Sequence, residues 1–411
     1  PIRVLYFLVI YALSTGVSAE PLMLTTALHP PYQTMQGDIL AGRSVAILSC
    51  VFAQTGQDYD INVLPWVRVV QSFKQGTSDG IFTAAETKEL NSFATMSSPL
   101  ALEKWYWFIN TGTDIKNIRR LRVAAIRGSN EVEWLQANNY PVTIVVNDLQ
   151  QMVYLLSSRR IDAFLFDKQA VENSLRKLDL AEDRFESVFS GYRPLGIYFS
   201  HRFLDERPSF LSDFNRLVSD CMPRPMMLDL AEKNRLRSWI ETSVLPQLPL
   251  SEIQQQLQEA NRQQRGWSAE DIRKQDQSWI HAMNPDSDGK QSKDVEQGRQ
   301  LINRISSRSL SAKLINIHQS TQQWIGEIFI TSAKGLSVAH SQPTSDYYHA
   351  DEEPFNAAVE DDDGFYLGPI AYDESTHQFQ VKAAVRIGAK DQPAGVIFIG
   401  IDVEQALRVT H

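Results

Sequence analysis

The sequence is poor in cysteine: only Cys50 and Cys221 occur in 411 residues, so no paired-cysteine metal or redox motif can be assembled. It also lacks a surplus of positive charge. Against 40 Lys and Arg stand 49 Asp and Glu, a net charge of -9. Nucleic-acid binders carry clustered basic surface, so no nucleic-acid partner is expected and the acidity reads as solubility. Beyond the N-terminus no segment is long and apolar enough to span a bilayer. No nucleophile elbow or phosphate-cradling glycine loop is present. His340, His349, Asp346 and Asp351 show no metal-ligand spacing, and Asp361-Asp362-Asp363 before Gly364 is shorter than a calcium loop and reads as a solvated turn. Neither metal nor cofactor is expected.

What remains is ordinary globular material, 43% hydrophobic and 22% charged, long enough for two or three compact units. The chain opens Pro-Ile-Arg, runs apolar from Val4 to Leu13, and reaches small residues at Val17-Ser18-Ala19 before Glu20. That order is the order of a secretory signal peptide over residues 1–19. The apolar run is short of the ~20 residues a membrane helix needs. The absence of an initial Met leads us to expect missing first residues, and the mature chain is expected to be exported and soluble. An oxidising compartment would let Cys50 and Cys221 pair, while buried free thiols are the other reading.

From Leu22 the pattern alternates strand and helix. Leu22 to Ala27 reads as a strand, and His29-Pro30-Pro31-Tyr32 as a loop whose prolines hold Tyr32 extended at its end. A helix follows from Arg43 to Thr55, then a strand from Tyr59 to Leu64, a helix opened by Pro65-Trp66, and a strand at Gly80-Ile81-Phe82-Thr83. A second set has strands at Arg122 to Ile126, Val142 to Val146 and Ile161 to Asp167, a helix over Leu149 to Ser157, and a return strand from Gly196 to Ser200. Helices over Phe210 to Asp220 and Met226 to Ile240 close the set. Alternation of this kind implies parallel sheets with helices on their faces, with ligands beyond the carboxyl ends of the strands.

Leu64-Pro65-Trp66-Val67-Arg68, Gly76 with Asp79-Gly80-Ile81-Phe82, Phe93 with Ser97 and Pro99-Leu100, Arg127-Gly128-Ser129, and Asp162-Ala163 with Asp167 together carry a resemblance. In order and spacing they resemble the type II periplasmic solute-binding proteins, in the polar amino-acid-like branch, over residues 20–245. The resemblance implies an α/β two-lobed clamp in the periplasm that takes a small-molecule solute. It implies contacts from Tyr32, Trp66, Thr83, Ala84, Gly128, Ser129 and Asp167. Amide groups at a helix start suit a carboxylate, and an aspartate suits an ammonium. Ser129, Asn130 and Asp167 can equally cap helices. Amino-acid binders of this family place an arginine where Leu90 stands here, and Lys88 nearby lacks its fork, which puts a standard amino-acid ligand in question.

Prolines at Leu245-Pro246-Gln247-Leu248-Pro249 mark a boundary, followed by a helical linker over 246–266 in which Ser251 is expected to cap a polar helix. Ser268 and Asp271 look like a capping box, a polar loop is expected from Asn284 to Asp294, and a helix from Val295 to Ser306. Strands then read at Trp324 to Thr331, Leu336 to Ala339, Gly368 to Tyr372, Gln378 to Ile387 and Gly395 to Ile401, with turns at Lys334-Gly335, Asp373-Glu374-Ser375 and Ala389 to Pro393. Glu327-Ile328-Phe329-Ile330, Thr344-Ser345-Asp346-Tyr347-Tyr348, Asp351-Glu352, Tyr372-Asp373 and Gly395-Val396-Ile397-Phe398-Ile399-Gly400 make this α+β segment, 267–411, similar to a Cache (PAS-like) extracytoplasmic sensor domain. By position that resemblance implies a solute pocket using Asp346, Tyr347, Tyr348, Asp351, Phe355, Tyr372 and Asp373. Tyr347 or Tyr348 filling the core is the alternative. The chain ends soon after Leu407 with no span or signalling domain, so a membrane-bound receptor or transporter partner is expected to carry any signal. A ligand-free interaction module, or a cleft hydrolase or dehydratase using Glu86, Glu103 or Asp167, are the other readings.

Overall fold

A computed structural model describes residues 20–222, 224–284, 293–321, 324–373 and 378–409. The expected signal peptide, most of the loop expected after Asn284, and the turn after Asp373 lie outside the described residues. In chain order the elements begin with β1 (Leu22–Thr26), β2 (Thr34–Gln36), β3 (Ile39–Ala41), α1 (Arg43–Thr55), β4 (Tyr59–Val63), α2 (Trp66–Lys74), β5 (Gly80–Ala85), α3 (Lys88–Asn91), β6 (Ala94–Met96) and β7 (Ala101–Ile109). Next come β8 (Val123–Ile126), α4 (Asn130–Ala137), β9 (Ile144–Val146), α5 (Leu149–Ser157), β10 (Ala163–Asp167), α6 (Lys168–Lys177), β11 (Glu186–Ser200), α7 (His201–Asp205) and α8 (Phe210–Asp220). The remainder is α9 (Leu230–Trp239), α10 (Leu250–Gln263), α11 (Ala269–Met283), α12 (Lys293–Ser306), α13 (Ser309–Ser320), β12 (Ile325–Ser332), β13 (Ser337–His340), α14 (Glu353–Glu360), β14 (Phe365–Asp373), β15 (Gln378–Ala389), β16 (Gln392–Asp402) and α15 (Val403–Val409). These elements fall into two compact units, one drawn from the described residues of 20–101 and 194–222, the other from those of 102–193 and 224–409.

In the first unit β1 lies between β4 and β5, parallel to both, with Leu22 opposite Tyr59 and Leu24 opposite Gly80. The end of β11 runs antiparallel to β5 and pairs β6 on its other side. Helix α1 turns Ile47, Leu48, Val51 and Phe52 inward, the i, i+4 spacing of one face, onto Leu22, Leu24, Phe82, Phe199 and Phe214. The disulfide between Cys50 and Cys221 joins that helix to the end of α8 across 171 residues. Of the two readings the sequence left open for the thiols, the paired one holds.

The second unit contains a mixed α/β half and a helix-and-sheet half. In the former β8 lies between β10 and β9, parallel to both, and β7 runs antiparallel to β10. In the latter five antiparallel strands stand in the order β13-β12-β16-β15-β14. Helix α10 lays Ile253, Leu257 and Ala260 inward, and Asn261 donates to the Ala394 carbonyl and accepts from the Ala333 amide. The segment expected to be a linker therefore packs on the sheet. Helices α11 and α12 approach so closely that a Cβ at Gly298 would stand 1.9 Å from the Ser278 carbonyl oxygen, which only glycine tolerates.

Several boundaries differ from expectation for identifiable reasons. Strand β11 begins at Glu186, well before the expected Gly196, because its first half belongs to the second unit. Helix α9 starts at Leu230 rather than Met226, since Asp229 and Glu232 form a capping box there and Met226 instead bridges Ile370 on β14. Helix α10 starts after Pro249 without a side-chain cap, so Ser251 lies within its first turn. The Ser268 and Asp271 capping box is present. Helix α13 was not expected from the sequence.

Candidate functional site

In the first unit, polar side chains are buried near the carboxyl ends of β1 and β5. Thr83 interrupts β5 in a left-handed conformation, φ 50°, at a bulge where the register with β11 shifts between Gly196 and Ile197. That conformation is uncommon for a β-branched residue. Thr83 is 3% exposed, and its Oγ1 has no hydrogen-bond partner among the described residues. Close by in the bonding pattern, Gln33 Nε2 donates to Thr26 Oγ1, which donates to the Phe82 carbonyl. Gln33 Oε1 and Ser44 Oγ are likewise buried with no partner among the described residues. Buried oxygens in this state lose water without gaining a bond, and they cluster where a ligand or ordered solvent supplies the missing donor.

The other residues proposed for this site have mixed placements. Tyr32 follows the Pro30-Pro31 pair and is buried with Ala85, Ala101 and Leu195. Trp66 begins α2 and packs, half-buried, on the cluster of Val69, Phe73, Ile81, Ala84 and Leu90. Ala84 is wholly buried there. Leu90, which stands where an arginine was expected, is a core residue of the same cluster.

In the second unit Gly128 has a positive φ of 69° in open space, and Ser129 caps α4 by accepting from the Val132 amide at 3.3 Å. Asp167 is buried; one carboxylate oxygen caps α6 through the Ala170 amide, 2.9 Å, and the other accepts from the Lys104 amide, 2.9 Å. Among the alternative catalytic carboxylates, Glu103 is buried and accepts from the Trp105 indole at 2.9 Å, while Glu86 is exposed and accepts from Asn91 at 2.8 Å.

Around the five-stranded sheet the proposed residues divide between two environments. Tyr347 stacks on Trp279, ring centroids 5.6 Å apart, in a core with Leu301, Ile305 and Leu336. It also lines a cavity of about 140 Å³ with Gln264, Trp267, Arg304 and Arg308. Burial pushes its phenol up to about 12, against the opposing pull of Arg308 and Arg304. The Tyr347 and Tyr348 amides both donate to Asp276 Oδ1, at 2.9 and 3.0 Å. Phe355 is buried on α14 with Phe329 and Phe398. Asp351 is exposed, Tyr372 is half-buried against Phe379, and the side chain of Asp373 lies outside the described residues.

Glu327, His349 and Glu352 converge over the sheet with Lys382, which the sequence did not single out. Glu327 on β12 leans across Gly400, where a Cβ would stand 2.7 Å from its Cγ, so the glycine makes room for the carboxylate. Lys382 lies on the other side of Gly400 in the register and reaches Glu352 Oε2 at 3.2 Å. His349 holds Glu352 Oε1 at 2.6 Å and Ser337 Oγ at 3.1 Å. Burial raises the Glu327 carboxyl, with Glu352 and Asp346 adding to the effect and Lys382 and His349 opposing it. At Glu352 burial pushes upward but is outweighed by His349 and Lys382, and the carboxyl is lowered. His349 and Glu352 are a local pair three residues apart, but only the register across Gly400 brings Glu327 and Lys382 to them.

His340, set edge-on to Trp279, is 1% exposed and bonds Ser306 through Nε2 at 2.8 Å. Burial lowers its pKa from 6.5 to about 4. The fold favours the neutral ring, so this stabilisation is whole above the unfolded pKa and is lost as pH falls from 6.5 towards 4. The loss is on the order of 3 kcal/mol. Urea midpoints of wild type and His340→Asn should converge as pH falls through that window; parallel curves would show that His340 contributes nothing to acid sensitivity.

No protein-family model matches the chain, and no curated protein matches its sequence. Solved structures resemble about half of it. The ligand-binding core of GluR0, solved with L-glutamate, is 17% identical, covers 50% of this chain and 93% of its own, and has a TM-score of 0.41. A histidine kinase sensor domain with similarity to periplasmic binding proteins is 14% identical over 49% of this chain and 90% of its own, TM-score 0.42. The arginine-, lysine-, histidine-binding protein ArtJ from Geobacillus stearothermophilus is 13% identical over 49% of this chain and 89% of its own, TM-score 0.40.

Proposed function

We propose that this protein recognises a small polar solute outside the cytoplasm, and that its first unit holds the solute at the carboxyl ends of β1 and β5. The observation that carries this reading is Thr83: a strained backbone and a buried hydroxyl without a partner among the described residues, at the strand end where parallel α/β sheets bind ligands. In this reading residues 20–245 act as a solute-binding module of the polar amino-acid type, and residues 1–19 direct it to the periplasm. Residues 267–411 act as a Cache-like sensor, and a membrane-bound receptor or transporter partner receives the signal. With Leu90 in the core, the solute is held by hydrogen bonds from neutral side chains rather than by an arginine fork at that position.

The test is Thr83→Val, which keeps the branched shape and removes the oxygen. Full-length protein is screened by thermal shift against amino acids and other small polar solutes, and each hit is titrated calorimetrically into both forms. We expect affinity to fall about tenfold or more, as for a lost buried hydrogen bond, while the unliganded variant is as stable as wild type or slightly more so. A solute bound equally well by both forms would remove Thr83 from the site and the reading with it.

A further inference from the structure

We propose that Asp346, His349 and Glu352 form a binding site for one divalent first-row transition cation, on the loop that crosses the five-stranded sheet. This site is independent of the solute reading for the first unit. Each residue offers one ligand atom, and the three atoms lie within 4.8 Å of one another. His349 Nδ1 stands 2.6 Å from Glu352 Oε1 and 3.8 Å from Asp346 Oδ1. Ligand bonds of about 2.0–2.2 Å to a common ion set donor atoms roughly 3–3.5 Å apart, so the first pair opens slightly and the second closes slightly when an ion is seated.

The surroundings hold each donor in place. His349 has a side chain only 2% exposed, and its other nitrogen, Nε2, meets Ser337 Oγ at 3.1 Å. A serine hydroxyl can donate or accept, so the ring can present a lone pair at Nδ1 by passing its proton to Nε2 without moving. This is the arrangement in which a metal-bound imidazole is oriented from behind. Lys382 occupies Glu352 Oε2 and leaves Oε1 facing the histidine. The loop itself is fixed by the His349 amide on the Gly335 carbonyl and by the paired amides of Tyr347 and Tyr348 on Asp276.

Charge and access favour a cation as well. Lys382 bonds Glu352 Oε2 at 3.2 Å and offsets part of the charge of the two ligand carboxylates. Asp346 and Glu352 are 33% and 25% exposed, so water can complete the coordination from their side. One imidazole and two carboxylates suit Zn²⁺, Mn²⁺ or their neighbours better than Mg²⁺ or Ca²⁺, which prefer oxygen alone.

Full-length protein stripped with a chelator is titrated with ZnCl₂ alone, then with MnCl₂ and MgCl₂, alongside Asp346→Asn and His349→Asn. We expect one Zn²⁺ per chain, a weaker Mn²⁺ isotherm, no Mg²⁺ binding at the same concentrations, and a loss of at least about tenfold in Zn²⁺ affinity in each variant, since losing a ligand costs no less than losing an outer-shell partner. X-ray absorption at the zinc edge should show a single imidazole among oxygen ligands. Asp346 is partly exposed, so its variant answers the question even if His349→Asn fails to fold, which circular dichroism will show. Zn²⁺ affinity unchanged in Asp346→Asn, or no Zn²⁺ binding to wild type, overturns the proposal and leaves His349 and Glu352 as a structural pair.

Discussion

Replacing Glu232 by alanine will unfold the second unit at a temperature on the order of 10 °C lower than wild type, equivalent to about 3–5 kcal/mol. Glu232 is 1% exposed and receives more bonds than any surface pair could make worthwhile. Lys104 forms an ion pair with Oε2, the Asp229 amide donates to the same oxygen at 2.8 Å, and the hydroxyls of Tyr106 and Tyr192 donate to Oε1 at 3.0 and 3.2 Å. Burial and the Glu232 charge together raise both phenols well above their usual range, so they stay protonated and remain donors. Removing the carboxylate leaves a lysine and two buried hydroxyls without it, and that uncompensated desolvation is the larger part of the expected loss. Thermal or urea unfolding followed by circular dichroism measures it. Glu232→Gln, which keeps the shape and loses the charge, should fall between wild type and Glu232→Ala. A loss below about 1 kcal/mol in the alanine variant would mean that the network is as weak as a surface ion pair.

The second large effect is that of the disulfide. A loop of 171 residues between Cys50 and Cys221 restricts the unfolded chain strongly. The chain-entropy estimate for such a loop is about 5 kcal/mol, and native bridges commonly deliver about 2–4. Both cysteines sit in the first unit, on α1 and just after α8, so the double variant Cys50→Ala with Cys221→Ala should lower that unit's stability by this amount. Adding a thiol reductant should bring wild type down to the level of the double variant and leave the variant itself unmoved. A reductant effect of equal size on both would place the sensitivity elsewhere.

How legible these features are from sequence depends on their range. Helix α1 and the capping box at Ser268 and Asp271 are local patterns, a 3.6-residue apolar stripe and a three-residue spacing, and both are where those patterns put them. The alternation of apolar residues at Phe379, Val381, Ala383 and Val385 puts the first three on the buried face of β15, while Val385 is half-buried. The Glu232 network is invisible at that range, because Lys104 and Tyr106 lie 128 and 126 residues away in the chain. The loop from Thr344 to Phe355 stands between these cases. Its polar and aromatic richness is plain, yet Tyr347 turns to Trp279 while His349 and Glu352 turn to the sheet, a division set by packing and register rather than by residue type. Thr83 is recognisable by its position at a strand end, but its left-handed backbone arises from the bulge against β11, over 100 residues later, and no local signal marks it.

The interrupted make-up of the first unit bears on biosynthesis. Its sheet needs β11 from Leu195 onward to cover the edge of β5, whose six residues are all buried in the finished fold. As the chain emerges N-terminus first, β1 to β6 are complete long before their partner, because residues 102–193 must be made in between. During that interval β5 presents a bare apolar edge, the kind of surface that captures strands from other chains. A nascent chain arrested after Ala101 is thus an aggregation-prone intermediate of this topology, and binding by a holding chaperone would matter there.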